Sequence, residues 1–384
     1  MESGRSGLFS ASPLLVLVCA LAVGLAACDD TVPFDDTPPP REPSPAADLL
    51  PDSLLDYIGQ ARTTEVRQFT SQFQYFYDED SGPMCIGGKQ YVISGRSNPE
   101  SNDVFIFLQG GGACWSEVCI RTDSAPPGIP SVMPLLNTNE ELSPFGGWNL
   151  LYMPYCDGSL FAGDADYDDD EDGELDRQHR GVHNLSAAFD IVLERWPNPD
   201  RIAISGLSAG GFGTVMATAM ARKLFPSTPI YVFNDSGVGV AKGDVDPDFV
   251  GRLINEWNAS RFIPPSCTDC LETGHLTAFL RWQLQNDPLL RVGAFSYYQD
   301  AVIGSTFLRL GGETFQRLLI EELPPLAEEF PDQYNYVLMN GSGHTTFGIT
   351  SAIRFNDIDL TRWIHQMLDH DPEWTSYAEP IPAD

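Results

Sequence analysis

The sequence predicts an α/β fold in which a mostly parallel sheet carries helices on both faces. Short runs rich in apolar, β-branched and aromatic residues recur along the chain and are typical of buried strands: residues 103–109, 148–153, 201–205, 229–233, 291–297 and 334–339. Apolar residues at helical spacing occupy residues 183–196, and a closing helix is predicted over residues 359–369. Because strands and helices alternate, we expect the active site beyond the carboxyl ends of the strands.

One predicted helix, over residues 314–330, contains two consecutive prolines, Pro324 and Pro325. Proline lacks a backbone N–H, and its ring clashes with the preceding helical turn. The sequence therefore predicts that this helix breaks at the proline pair.

Ser208 lies in a Gly-x-Ser-x-Gly motif between a predicted strand and a predicted helix of small and apolar residues, 212–221. This order is typical of a nucleophile elbow, a tight turn that exposes a serine hydroxyl at a helix N-terminus. Side chains at Gly206 and Gly210 would collide with the neighbouring backbone of such a turn. We therefore predict that Ser208 is the nucleophile of an acyl-transfer reaction. The alternative is an ordinary glycine-rich turn.

A nucleophilic serine needs a base, and His344 follows the last predicted strand in a glycine-rich loop. Asp300 follows the strand at 291–297 and is predicted to orient the imidazole, with Asp235, after the strand at 229–233, as its rival. The chain order Ser208, Asp300, His344 is that of the α/β-hydrolase fold. His365 and His370 lie on or after the terminal helix and are predicted to be surface or packing residues.

An oxyanion hole requires backbone N–H groups that a substrate can approach closely. A run of three glycines follows the strand at 103–109, and the residue after the nucleophile supplies another N–H. We predict that the donors are Gly111, Gly112 and Ala209. The alternative is a plain turn that ends a strand.

The N-terminus predicts export. An apolar run over residues 13–23 is too short to span a membrane comfortably, and it leads into Leu25-Ala26-Ala27-Cys28, which resembles a bacterial lipobox. We predict a lipoprotein signal peptide at 1–27, a flexible, proline-rich and acidic tether at 28–52 that is lipidated on Cys28, and an esterase domain at 53–384. The protein would then be exported and anchored to a membrane of the bacterial cell envelope. The alternative is an ordinary signal peptide cut at a small-residue site.

Besides Cys19 and Cys28, the chain has six cysteines: Cys85, Cys114, Cys119, Cys156, Cys267 and Cys270. An even number in an exported protein predicts three disulfides, whose pairing the residues alone leave open. The competing interpretation is a zinc site built from the Cys267–Cys270 and Cys114–Cys119 pairs.

The formal net charge of −32, from 54 acidic and 22 basic residues, argues against nucleic acid as a partner. It would also repel polyanionic substrates and anionic membrane surfaces.

An acidic segment places Asp168, Asp170, Asp172, Gly173 and Asp176 at positions 1, 3, 5, 6 and 9 of a calcium-binding loop. Position 12 is His179 instead of the usual glutamate. A structural calcium ion at the four aspartates is one interpretation, and a solvated acidic loop in an acidic protein is the other.

Several motifs resemble the pectin acetylesterases and their animal relative Notum, and the resemblance extends over about residues 70–370. The motifs are residues 108–115, 152–158, 179–184, 205–211, 234–237 and 341–347. Members of this family are α/β-hydrolase-fold carboxylesterases without a cofactor; plant members remove acetyl groups from pectin, and Notum removes a fatty acyl group from a signalling protein. The Gly-Gly-Gly-Ala-Cys-Trp motif of this chain differs from the plant form.

The resemblance implies a serine, aspartate and histidine at Ser208, Asp300 and His344. It also implies the disulfides Cys85–Cys156 and Cys114–Cys119, which leaves Cys267–Cys270 as the third pair.

The sequence thus predicts a lipid-anchored, exported, monomeric serine esterase that requires no cofactor and removes acetyl or other short acyl groups, with carbohydrate as one candidate alcohol. A lipase or a protein deacylase on the same scaffold is the alternative within this class. An alternative of another class is a surface protein that binds a ligand without catalysis.

Overall fold

A ten-stranded sheet forms the centre of the computed structural model, which describes residues 41–382. Three two-stranded hairpins accompany it. The strands of the sheet and hairpins are β1 (Thr63–Gln68), β2 (Gln72–Tyr77), β3 (Val92–Arg96), β4 (Val104–Leu108), β5 (Gly112–Trp115), β6 (Val118–Arg121), β7 (Asn149–Met153), β8 (Ala165–Tyr167), β9 (Arg177–His179), β10 (Ile202–Leu207), β11 (Ile230–Asp235), β12 (Leu290–Tyr297), β13 (Tyr334–Met339), β14 (Arg354–Phe355), β15 (Ile358–Asp359) and β16 (Tyr377–Ala378).

The strand order in the large sheet is β1-β2-β3-β7-β4-β10-β11-β12-β13-β16. The first three strands are antiparallel to their neighbours, and all pairs from β7 to β16 are parallel. Parallel strands need crossover connections, which are the helices between them. The mixed α/β architecture with a mostly parallel sheet confirms the predicted fold class.

Seven α-helices are described: α1 (Ala46–Leu49), α2 (Gly181–Arg195), α3 (Ala209–Leu224), α4 (Phe249–Glu256), α5 (Thr277–Asn286), α6 (Gly312–Glu329) and α7 (Leu360–Leu368). Residues of α2 to α6 pack in one apolar core, and α7 packs in another with the loop before β7. Strand β4 separates these cores because its side chains alternate. Ile106 belongs to the core of α2 to α6, and Phe105 and Phe107 belong to the core of α7.

The prediction that the helix over 314–330 breaks at its prolines is wrong, because α6 continues through Pro324 and Pro325. Proline removes intrahelical hydrogen bonds, yet burial of apolar residues on both sides of the pair holds the helix together. Leu319 and Leu323, before the proline pair, and Leu326, after it, are completely buried.

The predicted tether extends too far, because its last residues pack onto the folded body. Ala46 and Leu50 are buried, and the Lys223 ammonium on α3 donates to the carbonyl oxygens of Ala47 and Leu50 at 3.1 and 3.0 Å. The proline and acidic content of residues 28–52 suggested an extended chain. The short apolar segment after Pro45 instead packs against α3. The predicted signal peptide, Cys28 and the tether up to residue 40 lie outside the described residues.

The three disulfides are Cys85–Cys156, Cys114–Cys119 and Cys267–Cys270, as the resemblance implied. The four cysteines that the zinc alternative would use are therefore in disulfides. Such bonds are typical of proteins that fold in an oxidising compartment outside the cytosol. Across residues 41–382, none of the helices has both the length and the apolar composition required to cross a bilayer.

Candidate active site

Ser208 occupies the sharp turn between β10 and α3, in a backbone conformation that is unusual for a residue with a side chain. Its φ is 55° and its ψ is −119°. A Cβ atom at Gly206 would lie 2.2 Å from the carbonyl oxygen of Gly210, and one at Gly210 would lie 2.0 Å from that of Leu108. Only glycine fits at these two positions, so the sequence motif is required by the geometry of the turn. Strain of this kind is concentrated at functional sites.

Ser208 lines a cavity of about 50 Å³. Its walls are almost entirely apolar. The lining residues are Gly112, Ala113, Trp115, Leu160, Ser208, Ala209, Phe212, Ala241, Phe249, Val250, Leu253, Trp257, Leu276, Ile303, Phe307 and Leu308. A serine hydroxyl on an apolar wall is placed to meet an ester whose acyl group is buried beside it.

His344 and Asp300 form a hydrogen-bonded pair, with 2.7 Å between His344 Nδ1 and Asp300 Oδ2. Asp300 is completely buried, and its other oxygen accepts the N–H groups of Val302 and Ile303, each at 2.9 Å. These two residues begin a π-helical turn, Ala301–Phe307, which follows β12. The carboxylate is thus fixed from both sides, and it can orient the imidazole and stabilise its protonated form.

Ser208 Oγ has no hydrogen-bond partner within residues 41–382, and so the structure does not join the serine directly to His344. Catalytic hydrogen bonds are often long in the free enzyme and shorten when substrate binds. Both residues follow carboxyl ends of parallel strands, β10 and β13, as the sequence predicted.

Asp235, the rival acid, does not contact the imidazole but contacts the loop that carries it. Both of its carboxylate oxygens accept the N–H of Thr346 at 3.1 Å, and Oδ2 also accepts the Thr346 hydroxyl at 2.6 Å. Burial raises the pKa of the Asp235 carboxyl to about 6, and the hydrogen bonds from Thr346 act in the opposite direction.

Two of the three predicted oxyanion-hole residues, Gly112 and Ala209, line the same cavity as Ser208. Gly111 lies next to this lining, and its carbonyl oxygen accepts the N–H of Thr122 at 2.8 Å. Gly112 has a φ of 93°, and a Cβ atom there would lie 2.0 Å from the carbonyl oxygen of Ile120. Glycine is therefore needed at 112 to keep the hairpin of β5 and β6 beside the elbow.

The sequence did not identify half of the cavity wall. Eight of the sixteen lining residues lie in or directly beside α4, the start of α5 and the π-helical turn, far along the chain from the elbow. The available signal was the spacing of Phe249, Leu253 and Trp257, which places three large apolar side chains on one helical face. That spacing indicates burial but cannot indicate burial against a substrate cavity. Trp257 also holds the β5–β6 hairpin, since its indole N–H donates to the carbonyl oxygen of Cys114 at 2.9 Å.

A second histidine–aspartate pair, His183 and Asp164, has a different environment. His183 Nε2 lies 2.8 Å from Asp164 Oδ1, and the other oxygen of Asp164 accepts hydrogen bonds from Tyr57 and Arg261 at 2.8 and 2.7 Å. The Tyr57 and His183 rings stack with centroids 3.6 Å apart. This network joins Tyr57, before β1, to His183 on α2. We therefore interpret the His183–Asp164 pair as a structural contact.

The acidic loop between β8 and β9 brings together oxygens of Asp168, Asp170 and Asp176, all within 4.8 Å of one another. Asp172, the fourth predicted ligand, is not in this group. His179, at position 12, lies buried in β9, and its Nδ1 is 3.0 Å from the carbonyl oxygen of Asp157. Burial lowers the pKa of His179 to about 4. The loop thus offers three carboxylates but lacks the bidentate ligand that a calcium loop has at position 12.

A parallel sheet, a strained serine at a strand–helix turn and a buried aspartate–histidine pair after the following strands are the architecture of the α/β hydrolases. Within this class, the sequence model of the Pectinacetylesterase family matches residues 67–279, more than half of the chain. The chain belongs to this family. The matched region contains Ser208 but ends before Asp300 and His344.

Three plant proteins from Arabidopsis thaliana are similar to this chain. Pectin acetylesterase 11 is 22% identical over 213 residues, which are 50% of this chain and 53% of the relative. Pectin acetylesterase 7 is 22% identical over 49% of this chain and 52% of its own length, and pectin acetylesterase 4 is 26% identical over 36% of each. The chain thus matches about half the length of the first two relatives.

Proposed function

We propose that this protein is a serine carboxylesterase that hydrolyses O-acyl esters, with acetylated carbohydrate as the leading substrate. The proposal is carried by the hydrogen-bonded Asp300–His344 pair, which follows β12 and β13 at the same edge of the parallel sheet as the strained Ser208 after β10. Family membership and the names of the plant relatives support an acetylated carbohydrate as the substrate.

In the proposed reaction, Ser208 Oγ attacks the acyl carbon while His344 Nε2 takes the hydroxyl proton. The oxygen of the tetrahedral intermediate accepts hydrogen bonds from the N–H groups of Ala209 and Gly112, with Gly111 as the third predicted donor. His344 then returns the proton to the leaving alcohol. A water molecule, activated by the same imidazole, releases the acid from Ser208. No cofactor enters these steps.

The apolar cavity supports a second candidate, the hydrolysis of esters with longer acyl chains by a lipase or a protein deacylase. An acetyl group presents one methyl group, whereas the cavity is lined by Trp115, Phe249, Trp257 and further apolar side chains. Each additional buried methylene would contribute about 0.8 kcal/mol to binding. Acyl length is therefore the property that separates the two candidates.

Two measurements test the proposal. A fluorophosphonate probe should label the wild-type protein on Ser208 and should not label Ser208→Ala, which should be folded and inactive. A series of p-nitrophenyl esters from acetate to decanoate then gives the acyl preference from kcat/KM. A folded Ser208→Ala protein with wild-type turnover would exclude Ser208 as the nucleophile. Absence of labelling and of turnover on all esters would favour the non-catalytic binding protein.

We further propose that the protein is exported and held at a membrane by a lipid on Cys28. The lipobox-like motif and the three disulfides support this proposal. Cys28→Ala should move the protein from the membrane fraction to the soluble fraction of the producing cell, whereas Cys19→Ala should not. Membrane association of the Cys28→Ala protein would contradict the lipid anchor. A monomeric state and a structural calcium ion at the acidic loop remain predictions.

A further inference from the structure

The motif Asn234-Asp235-Ser236-Gly237 contacts both the nucleophile elbow and the histidine loop, although the proposed reaction uses none of its side chains. The backbone carbonyl of Asp235 accepts the N–H of Ser208 at 2.8 Å. The Asp235 carboxylate accepts the three contacts from Thr346, two residues beyond His344. The Ser236 hydroxyl donates to the carbonyl oxygen of His344.

The backbone of this motif is held too tightly to move on its own. A Cβ atom at Gly237 would lie 2.2 Å from the backbone nitrogen of Phe212 and 2.5 Å from the carbonyl oxygen of Ser208. Ser236 has a φ of 65°, a conformation that residues with a side chain adopt only when their surroundings impose it. Asn234 fixes the turn through its amide group, which donates to the carbonyl oxygens of Gly211 and Gly237 at 2.8 and 2.9 Å.

We propose that Asp235 is a positioning residue for ester hydrolysis. Its buried carboxylate holds Thr346, and through Thr346 it keeps the loop that carries His344 in register with the Ser208 elbow. This inference rests on the proposed function, because it assigns Asp235 a role in the same reaction. Asp300 sets the orientation of the imidazole ring, whereas Asp235 sets the position of the backbone from which the ring extends. A displacement of a catalytic group by about 1 Å can lower a rate about 100-fold.

The charge state of Asp235 couples this contact to pH. A protonated carboxyl has lost acceptor capacity and holds the N–H and hydroxyl of Thr346 less well than the carboxylate does. The pKa of the carboxyl is about 6, raised by burial. Two titratable groups act on it: His344 from the loop and Tyr297 from β12. On the β10 side Asp235 pairs with Leu207, which has no titratable group.

Activity and stability should then respond to Asp235 with opposite signs. The pKa of about 6 lies above the ordinary value of 3.8 for an aspartate, so the folded protein binds the proton more tightly than the unfolded chain does. Protonation therefore stabilises the fold as the pH falls through 6, while it weakens the contact with Thr346. A residue with a purely structural role would lower activity and stability together.

The test compares wild type, Asp235→Asn and Thr346→Val on p-nitrophenyl acetate between pH 4.5 and 9. Asp235→Asn should lower kcat by roughly 10-fold to 100-fold at pH 8 with little change in KM. Thr346→Val removes the hydroxyl bond but keeps the backbone N–H, and should lower kcat by less. The double variant should be no slower than Asp235→Asn alone, because both changes act on one contact. Thr346→Ser keeps the hydroxyl and should restore most of the rate that Thr346→Val loses.

The acid side of the kcat/KM profile gives the second readout. The ratio of wild-type kcat/KM to that of Asp235→Asn should fall from roughly 10–100 at pH 8 towards 1 at pH 4.5, because protonation of Asp235 near pH 6 weakens the contact that the variant lacks. The contribution of His344 is common to both proteins and cancels in this ratio. The melting temperature of Asp235→Asn at pH 8 should equal or exceed that of the wild type, because the variant buries no charge.

Asp157 provides a matched control. It is completely buried, burial raises the pKa of its carboxyl, and it accepts backbone N–H groups from Ser159 and Phe161, but it does not contact the histidine loop. The ratio of wild-type kcat/KM to that of Asp157→Asn should not change with pH. If the Asp157→Asn protein is unfolded, the comparison of Thr346→Val with Thr346→Ser still tests the contact.

Three outcomes would overturn the inference: a wild-type kcat in Asp235→Asn with a ratio to wild type that does not change with pH, additive losses in the double variant, or a loss in Asp235→Asn as large as that in Asp300→Asn. The third outcome would make Asp235 the acid that orients the imidazole. Failure of the proposed function is recognised separately, because it appears as turnover retained by Ser208→Ala or as absence of labelling and turnover in the wild type.

Discussion

Asp300 and Asp235 differ in the group that each carboxylate reaches. Asp300 bonds to the ring nitrogen of His344, and Asp235 bonds to the backbone two residues beyond it. Asp300→Asn should therefore leave the imidazole in the wrong tautomer and lower kcat by about 10⁴-fold, whereas Asp235→Asn should lower it by far less. Steady-state kinetics of both variants on one ester, with circular dichroism to verify folding, gives the ranking. The reverse ranking would exchange the two roles.

The sequence could place Ser208 and His344 but could not choose between these aspartates. Both follow neighbouring parallel strands, β11 and β12, and both therefore reach the same edge of the sheet. The choice depends on whether the chain beyond each strand turns its carboxylate towards the ring or towards the loop. Asp300 directly precedes the π-helical turn and accepts two of its N–H groups. No residue pattern in the sequence predicted that turn.

At the scale of elements, residues 41–52 show how composition can mislead. Proline and acidic residues predicted a tether up to residue 52, yet α1 and the residues after it cover part of α3. A chain that begins at residue 53 should lose the burial of Ala46 and Leu50 and the two hydrogen bonds of Lys223. We expect its free energy of unfolding to be lower by about 2–4 kcal/mol than that of a chain that begins at residue 41.

Thermal unfolding of these two chains measures this effect. The shorter chain should melt several degrees lower, with the ester-hydrolysis rate at 25 °C little changed because α1 lies outside the cavity lining. Equal melting temperatures would mean that residues 41–52 behave as the tether that the sequence predicted.

The elements that the sequence predicted well are those with a strong local pattern. Strands β4, β7, β10 and β13 are continuous apolar runs because both faces of the sheet are covered. Helix α6 and the cavity wall were not predictable in the same way. The continuity of α6 through its prolines depends on what packs against that helix. The same is true of the cavity that α4 faces.

At the scale of the whole molecule, net charge should influence the choice of substrate. Deesterified regions of pectin carry a carboxylate on each galacturonate, and this chain has a formal net charge of −32. Repulsion between the two polyanions extends about 10 Å at 0.1 M salt and about 30 Å at 0.01 M. Acetylated xylan and p-nitrophenyl acetate are free of this repulsion, so we expect better turnover on neutral acetyl esters than on acidic pectin at low salt.

The expected dependence on salt is specific. As salt rises from about 0.01 to about 0.3 M, kcat/KM on acetylated pectin should increase, whereas kcat/KM on p-nitrophenyl acetate should remain nearly constant, because screening acts only on the charged substrate. Acetylated xylan controls for polymer size without charge. If pectin is the best substrate at low salt and loses its advantage as salt rises, basic side chains near the cavity mouth outweigh the net charge, and the polysaccharide is drawn to the site by local attraction.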